Sequence, residues 1–324
     1  MSSFLMTDRH GYSVKFSPFE ANRLVVASSQ LYGLAGGGTL YDLRIGADET
    51  IEEINQFQWQ DGLFDVVWSR KYPYIVATSS GDGTIQLWNL YLRGKTTKPI
   101  VCLQEHTNEV YSIDWSKTSS SDQILSGSWD GSTKLWDPTR KTAIATFFGH
   151  TDLIYSASFS EHIPNVFSSV SIDGSLNLWN SLDISGQPVA AIQAHSGEVL
   201  TCDWSPLDSN LLATGASDGL IRGWDIRQLS KAVFELDGCE YAVRRIRFSP
   251  HSAKVIASAN YDFTTRIWDF EKNSEEALEV ITNHSEFVCG VDWSNHVENQ
   301  IADCGWDSFV NVFVPSSLNK CALQ

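Results

Sequence analysis

The amino-acid sequence predicts an all-β fold, a seven-bladed β-propeller, from features that recur along its 324 residues. An aromatic end, Trp-Asp in the clearest copies, falls at residues 41, 88, 136, 179, 224, 268 and 313, so the period is 43 to 48 residues. An Asp precedes most of these ends by six residues, and in four copies a His precedes an earlier aromatic residue by nine. A period close to this length, with a Trp-Asp end and an upstream His, is typical of a propeller blade formed by a WD repeat.

The spacing between the Asp and the aromatic end is clearest in the third copy, where an Asp130-Gly131 turn precedes Trp136-Asp137. The same six-residue step joins Asp82 to Trp88, Asp173 to Trp179, Asp218 to Trp224, Asp262 to Trp268 and Asp307 to Phe313. The first copy is degenerate, because it ends at Tyr41-Asp42 and has Ala35 at the turn position.

The upstream His and a hydroxyl four residues before the turn Asp predict a buried chain of hydrogen bonds, from Asp to His to Ser or Thr to the Trp N–H. Buried polar groups need partners, so we expect these residues to hold strands together. A hydrolytic triad is excluded because an active site would not be repeated in one domain. The third, fourth and fifth copies keep all four members: His106, Ser126, Asp130 and Trp136; His150, Ser169, Asp173 and Trp179; and His195, Thr214, Asp218 and Trp224.

Taken in order, the repeats predict one domain over residues 1–324. An apolar piece at 3–7 precedes the first repeat, and the seventh copy stops at Phe313-Val314, before a short tail at 315–324. We therefore expect the N-terminal strand 3–7 to complete the last blade and close the ring, which leaves no open sheet edge there. Strands of the first blade are predicted near 12–16, 24–28, 38–43 and 51–57, and inner strands of blades three to seven near 110–115, 154–159, 199–204, 243–248 and 288–293.

The composition is acidic, with 39 Asp and Glu against 23 Lys and Arg and a net charge of −16. This balance argues against nucleic acid, which is bound largely through Lys and Arg, and against an anionic membrane surface. It favours basic partners. No apolar run is long enough to cross a membrane. The six cysteines, at 102, 202, 239, 289, 304 and 321, form no Cys-x-x-Cys pair, so we expect free, mostly buried thiols and a reducing compartment.

No enzyme, cofactor or metal site is predicted. The His residues of the repeats are spread one per blade, and no acid–base pair separates from the structural network. The glycine-rich turn at 33–38 lacks the Lys-Ser/Thr of a P-loop and the helix of a dinucleotide site, so we interpret it as a strand-to-strand turn. The last four residues, Cys321-Ala322-Leu323-Gln324, formally match a prenylation box. Whether Cys321 is modified stays open, although no polybasic run precedes it.

A ligand of a propeller is expected at the mouth that carries the turns before each Asp and the starts of the inner strands. Large aromatic residues, Trp129, Tyr261 and Trp306, occupy turn tips where small polar residues are usual, and clustered aromatics favour a docking surface. Carboxylates and aromatics also begin the inner strands: Asp61, Phe64, Asp65, Glu109, Tyr111, Asp152, Tyr155, Glu198, Glu240 and Glu286. An amphipathic basic helix or an extended basic peptide would fit such a surface.

Several stretches resemble one family beyond the general blade motifs. They include Asp61-Gly62-Leu63-Phe64-Asp65-Val66, Ala302-Asp303-Cys304-Gly305-Trp306-Asp307, and residues 32–40, 109–115, 222–225, 234–236, 241–245 and 261–264. The chain is similar, from about residue 10 to 307, to the WD-repeat family of peroxisomal import receptors for the type-2 targeting signal, the peroxin-seven family.

The resemblance implies a receptor that shuttles between the cytosol and the peroxisomal matrix. Its partners are cargo proteins with an N-terminal type-2 signal, an import co-receptor and docking machinery at the peroxisomal membrane. The signal is expected to form an amphipathic basic helix on the mouth, beneath the co-receptor. By this resemblance Asp61, Glu109 and Glu198 face the cations of the signal. Phe64, Tyr111, Trp129, Tyr155, Tyr261 and Trp306 give apolar cover, and Asp65 and Glu286 complete the predicted set.

A second hypothesis is a WD-repeat substrate receptor of a cullin–RING ubiquitin ligase. Trp224-Asp225-Ile226-Arg227 fits the Trp-Asp-x-Arg box with which such receptors contact their adaptor, and Tyr41-Asp42-Leu43-Arg44 is a weaker copy. The alternative is that each Arg simply closes a strand.

Overall fold

Seven four-stranded antiparallel sheets make up the part of the chain that the structure describes. The structure is a computed structural model and describes residues 1–92, 98–117, 122–183, 185–272 and 276–319. From the inner to the outer strand, the blades are formed as follows.

Blade one has β2 (His10–Phe16), β3 (Arg23–Ser29), β4 (Gly38–Ile45) and β5 (Ile51–Trp59). Blade two has β6 (Leu63–Trp68), β7 (Ile75–Ser80), β8 (Thr84–Asn89) and β9 (Val101–Gln104). Blade three has β10 (Val110–Trp115), β11 (Ile124–Ser128), β12 (Ser132–Asp137) and β13 (Thr142–Phe148). Blade four has β14 (Ile154–Phe159), β15 (Val166–Ser171), β16 (Ser175–Asn180) and β17 (Ala190–Gln193).

Blade five has β18 (Val199–Trp204), β19 (Leu211–Ala216), β20 (Ile221–Asp225) and β21 (Phe234–Leu236). Blade six has β22 (Val243–Phe248), β23 (Val255–Asn260), β24 (Thr265–Asp269) and β25 (Glu279–Ile281). Blade seven has β26 (Val288–Trp293), β27 (Ile301–Gly305), β28 (Phe309–Phe313) and β1 (Ser2–Leu5). Two 3₁₀ turns, Leu31–Gly33 and Ser316–Leu318, complete the described elements, and no helix among them is long and apolar enough to cross a membrane.

The two ends of the chain share blade seven. Strand β1 pairs antiparallel with β28, so that Ser2 lies opposite Val312 and Leu5 opposite Phe309. The predicted closure of the ring by an N-terminal strand is therefore confirmed. The strand runs over Ser2–Leu5 rather than 3–7; Met6, which follows it, donates its backbone N–H to the carbonyl of Ser308 and is fully buried.

The apolar core lies between the blades, and each main cluster joins neighbouring sheets. Val25 and Ala27 of blade one, for example, pack against Val66 and Trp88 of blade two. Six Trp side chains are among the largest fully buried groups: Trp88, Trp115, Trp136, Trp179, Trp204 and Trp268. Burial of such large apolar surfaces is the dominant stabilising contribution.

The hydrogen-bonded chain expected in the middle blades is present. In blade three, Nδ1 of His106 lies 2.7 Å from the carboxylate of Asp130, and Nε2 lies 2.7 Å from Oγ of Ser126, to which Nε1 of Trp136 donates at 2.8 Å. Blades four and five repeat this geometry, through His150, Ser169, Asp173 and Trp179, and through His195, Thr214, Asp218 and Trp224. These side chains tie the loops to the strands within each blade.

Blade seven departs from this pattern. Asp303 replaces the hydroxyl residue, so that His284 has Asp303 2.9 Å from Nε2 and Asp307 2.9 Å from Nδ1. Burial lowers the pKa of His284, but the two carboxylates outweigh burial and raise it to about 10. His284 is therefore a buried cation at neutral pH, between the carboxyl groups of Asp303 and Asp307.

Carboxylates at the fifth position of three inner strands tie neighbouring blades together along the central channel. Oδ2 of Asp114 accepts the backbone N–H of Phe159 at 2.9 Å. Asp203 accepts that of Phe248 at 2.8 Å, and Asp292 accepts that of Phe16 at 2.9 Å. These bonds cross from one sheet to the next and add directional contacts to the apolar packing.

The cysteines are free within the described residues, and Cys202, Cys289 and Cys304 are buried as expected. Cys102 is exposed, because it lies on the outer strand β9. Cys321 and its prenylation-like box lie outside the described residues.

Candidate functional site

A β-bulge near the start of every inner strand builds the floor of the mouth. In all seven inner strands the pairing register shifts across one residue, for example between Val110 and Ser112, so that the residue between them is left without a partner on the next strand. A bulge re-aims the extra side chain. The bulged residues are Tyr12, Phe64, Tyr111, Tyr155, Leu200, Arg244 and Cys289. Because the bulge occurs at the same position in each repeat, the bulged residues of different blades lie in one layer around the channel.

Three of these side chains form a buried aromatic cluster. The ring centroids of Tyr12 and Phe64 are 5.1 Å apart, and those of Phe64 and Tyr111 are 5.0 Å apart. Phe64 and Tyr111, both predicted to contact a ligand, are buried, so they support the surface from below.

Trp129 and Tyr155 lie above this floor at one side of the mouth. Trp129 stacks on Tyr111 with a centroid distance of 5.0 Å, and Tyr155 lies 5.7 Å from Trp129. Both are half-buried and so present part of their rings to solvent. Burial raises the pKa of Tyr155 to about 12, so its phenol stays neutral at physiological pH.

Trp306 and Tyr261 lie at the other side. Trp306 is 5.9 Å from Tyr12 and 5.1 Å from Phe287, which in turn stacks on Tyr261 at 4.4 Å. The aromatic turn tips predicted from repeat position thus belong to one continuous aromatic belt that runs through blades four, three, two, one, seven and six.

Four members of the aromatic belt were not predicted: Tyr12, Tyr32, His10 and Phe287. Tyr32 stacks on His10 at 4.0 Å and lies 5.2 Å from Trp306. His10 and Tyr32 belong to the degenerate first repeat, where the spacing gives little guidance. Tyr12 occupies the same position in its repeat as Tyr111 and Tyr155, and this correspondence would have allowed its place in the aromatic belt to be predicted.

The glycine-rich turn of blade one packs against the floor. Tyr12 donates its hydroxyl hydrogen to the carbonyl of Tyr32 at 2.7 Å. Gly33 has φ +71°, and a Cβ there would lie 2.7 Å from the Tyr12 hydroxyl and 2.8 Å from the Phe64 ring. Leu34 of this turn and Leu31 of the 3₁₀ turn just before it are exposed beside the aromatic belt. Its glycine serves close packing and not phosphate binding.

Carboxylates surround the aromatic belt. The backbone carbonyl of Glu109 accepts the N–H of Trp129, and that of Glu198 accepts the N–H of Ser217, which fixes these loops beside the turn tips. Glu198, Glu240 and Glu286 are exposed and Glu109 is half-buried. None of these four side chains has an ion pair within the described residues, so their negative charge is available to a ligand. Asp61 is half-buried, and its Oδ1 accepts the N–H of Gly62 at 2.7 Å.

Asp65 lies one layer deeper than the other predicted carboxylates. It is 3 % exposed, and its Oδ1 lies 2.9 Å from Nη1 of Arg245 on the opposite side of the channel. Burial raises the pKa of Asp65, but Arg245 and Lys15 outweigh burial and hold it below its usual value. The structure therefore places Asp65 in a buried ion pair and apart from the exposed carboxylates.

In the Trp-Asp-x-Arg box, the Arg forms an ion pair with the Asp of the same box. Arg227 is exposed, but its guanidinium contacts the carboxylate of Asp225 at 2.6 Å. In the weaker copy, Asp42 is fully buried and binds Arg23 through two hydrogen bonds of 2.8 Å. Both carboxylates therefore have a partner within the chain.

No group of three or more His, Cys, Asp or Glu residues in the described ranges has the arrangement of a metal site. The mouth offers contact surface and charge. Its arrangement suits the binding of a basic, partly apolar polypeptide.

Comparison with protein families agrees with the repeat pattern. The family model described as "WD domain, G-beta repeat" matches residues 52–89, 97–137, 141–180, 186–225 and 230–269. The chain is a WD-repeat β-propeller. The matches leave out the first three strands of blade one, which has Ala35 at the turn position, and all of blade seven, which has Phe313 at the aromatic end.

Curated relatives match over nearly the whole length. The Peroxisomal targeting signal 2 receptor of Mus musculus is 45% identical over 311 residues, covering 96% of this chain and 95% of the relative. That of Homo sapiens is 46% identical over 284 residues, covering 87% and 85%. That of Saccharomyces cerevisiae is 33% identical over 380 residues, covering 98% and 100%. The chain belongs to the family of peroxisomal targeting signal 2 receptors, which are receptors and not enzymes.

Proposed function

We propose that this chain binds the N-terminal type-2 peroxisomal targeting signal of cargo proteins. The signal lies on the mouth as an amphipathic basic helix, and a co-receptor joins the complex and delivers the cargo to the peroxisomal matrix. The observation that carries this proposal is the aromatic belt adjoining Asp61, Glu109, Glu198 and Glu286, four carboxylates that form no ion pair within the described residues. The names of the relatives support the same ligand.

The two faces of the helix have different partners. Its apolar residues pack on the exposed parts of Trp129, Tyr155, Tyr261 and Trp306, because large half-buried aromatics supply contact area at low entropic cost. Its cations face Asp61, Glu109, Glu198 and Glu286. Fixed carboxylates beside an apolar surface favour a basic ligand and speed its association. Asp65, Phe64 and Tyr111 support the surface and do not contact the signal.

The co-receptor covers the bound helix and contacts two exposed apolar residues, Leu31 of the 3₁₀ turn and Leu34 of the glycine-rich turn. Large exposed apolar groups beside a binding site are typical of protein interfaces. The receptor then engages docking machinery at the peroxisomal membrane and cycles between the cytosol and the matrix.

Fluorescence polarisation tests the proposal with a labelled signal peptide, with and without a co-receptor fragment. We expect binding that tightens with the co-receptor and disappears when the leading Arg of the signal is changed to Glu. Glu109→Lys should abolish binding without unfolding the ring. Glu52→Lys, on the exposed outer strand β5, is the matched control and should bind normally.

Absence of binding in both mixtures would refute the proposal. Capture of a ubiquitin-ligase adaptor, lost on Arg227→Ala, would then support the second hypothesis.

A further inference from the structure

A small polar cavity lies inside the central channel, beneath the floor of the mouth. Its volume is about 20 Å³, and its charged and polar lining includes Arg244, Arg245, Arg247, Asp65, Asp114 and Thr201. Three arginines of a single strand, β22, therefore reach one cavity. The bulge at Arg244 explains this, because it places two consecutive side chains in the channel and strand alternation then adds Arg247.

Two of the three arginines have carboxylate partners. Arg245 lies 2.9 Å from Asp65, and Arg247 lies 2.7 Å from Asp203. Asp114 also lines the cavity, but its oxygens accept the backbone N–H groups of Trp115 and Phe159 and the hydroxyl of Ser158.

Arg244 has no carboxylate partner within the described residues. It is 1 % exposed, and its Nε and Nη2 atoms have no hydrogen-bond partner. Its guanidinium lies 4.8 Å from the ring centroid of Tyr111. The other bulged residues of its layer are aromatic or apolar, or the thiol of Cys289. Nε of Arg245 is also without a partner.

An uncompensated guanidinium is costly at this depth. Arg does not deprotonate in proteins, so it cannot escape the cost of burial by losing its charge. Removal of an ion from water costs several kcal/mol unless a counter-charge and hydrogen bonds replace the solvent. Buried polar groups without a protein partner point to a bound water or ion.

The size of the cavity selects the ligand. A space of this volume holds about one water-sized particle. Sulfate, phosphate or a carboxylate is too large, whereas a halide needs only N–H donors and positive charge. We propose that the channel binds a single chloride ion, held by the guanidinium groups of Arg244 and Arg245. The ion neutralises Arg244 and so preserves the negative potential of the mouth above it.

A crystal of the full chain soaked in sodium bromide tests the site directly. We expect an anomalous difference peak between the guanidinium groups of Arg244 and Arg245, and no peak there in crystals of Arg244→Met. Density for a water alone, without anomalous signal at saturating bromide, would overturn the proposal.

Thermal unfolding gives an independent test in solution. Replacing sodium gluconate by sodium chloride at constant ionic strength should raise the Tm of the wild type saturably, by about 2 °C at tenfold excess over Kd. Arg244→Met should lose this response, and the matched variant Arg227→Met, on the exposed surface, should keep it. Equal responses in all three proteins would mean that chloride acts elsewhere. Should Arg244→Met fail to fold, the bromide experiment on the wild type still decides.

Discussion

His284 lies between two buried carboxylates, whereas His106 has one carboxylate and the hydroxyl of Ser126. The single exchange of a hydroxyl for Asp303 therefore converts a hydrogen-bonded chain into a charged cluster. Thr265 and Asn311 also donate hydrogen bonds to the carboxylate of Asp303, so both of its oxygens have a hydrogen-bond partner. At the scale of single residues, the same repeat position has a different electrostatic role in the blade that closes the ring.

This cluster should make stability depend on pH. The folded pKa of His284, about 10, is above the unfolded value near 6.5. A raised pKa contributes stability that is complete below the unfolded pKa and is lost as pH rises through the folded pKa. We expect the free energy of unfolding, measured in urea, to fall between pH 7 and 10 more steeply in the wild type than in Asp303→Ser. Equal slopes for the two proteins would contradict the charged state of His284.

Trp129 should be a major contributor to signal binding, because it stacks on a buried Tyr111 and is held rigidly while part of its ring is exposed. We expect Trp129→Ala to weaken signal binding by about tenfold to a hundredfold in fluorescence polarisation, the range typical of central aromatic residues at interfaces. Tyr91, which is exposed on blade two outside the mouth, provides the control: Tyr91→Ala should leave the affinity unchanged. Full affinity of Trp129→Ala would place the binding surface elsewhere.

Strand β1 alternates between two environments. Phe4 packs against the cluster of Met6, Val14 and Tyr41, with its ring 5.9 Å from that of Tyr41, whereas Leu5 is 53 % exposed. The strand thus contributes both backbone pairing and one apolar anchor to the junction of blades one and seven.

Two substitutions in β1, one on each face of the strand, test whether the buried face stabilises the ring. Phe4→Ala should lower the free energy of unfolding by about 2 kcal/mol, because it removes a half-buried aromatic side chain. Leu5→Ala should change it by less than about 0.5 kcal/mol, as expected at an exposed site. Urea unfolding followed by Trp fluorescence measures both. A similar loss for the two variants would mean that β1 stabilises the ring through its backbone alone.

The strands were predictable because the repeat fixes them: the inner strands of blades three to seven begin and end where the period places them. The gathering of Trp129, Tyr261 and Trp306 was predictable for the same reason. The depth of Asp65 was not. A bulge separates its layer from that of Phe64, and its partner Arg245 lies 180 residues away in the sequence. Spacing within one repeat carries no information about such a contact across the channel.

The ion pair of Asp65 and Arg245 joins blade two to blade six across the channel and therefore belongs to the whole molecule. Both side chains are buried, so removing one partner leaves an uncompensated charge. We expect Asp65→Ala to lower the free energy of unfolding by about 3 kcal/mol, in the range measured for broken buried pairs. Signal affinity measured well below the Tm should be unchanged.

The double variant Asp65→Ala, Arg245→Met provides the control, because it removes both charges and should recover part of the lost stability. A loss of signal affinity in the folded Asp65→Ala protein would instead place Asp65 among the contacts to the signal.

The pairing of β1 with β28 has a consequence for biosynthesis. Ser3 and its partner Asn311 are separated by 308 residues, so β1 meets its neighbour only after that whole stretch has been translated. At the usual rates of protein synthesis this interval lasts roughly 15 to 60 s. Throughout that time the blade-one residues that pack against blade seven, such as Val14 and Tyr41, lack their partners Ala302 and Val310. A chain that stops before β28 therefore leaves β1 without its partner and cannot close the ring in this way.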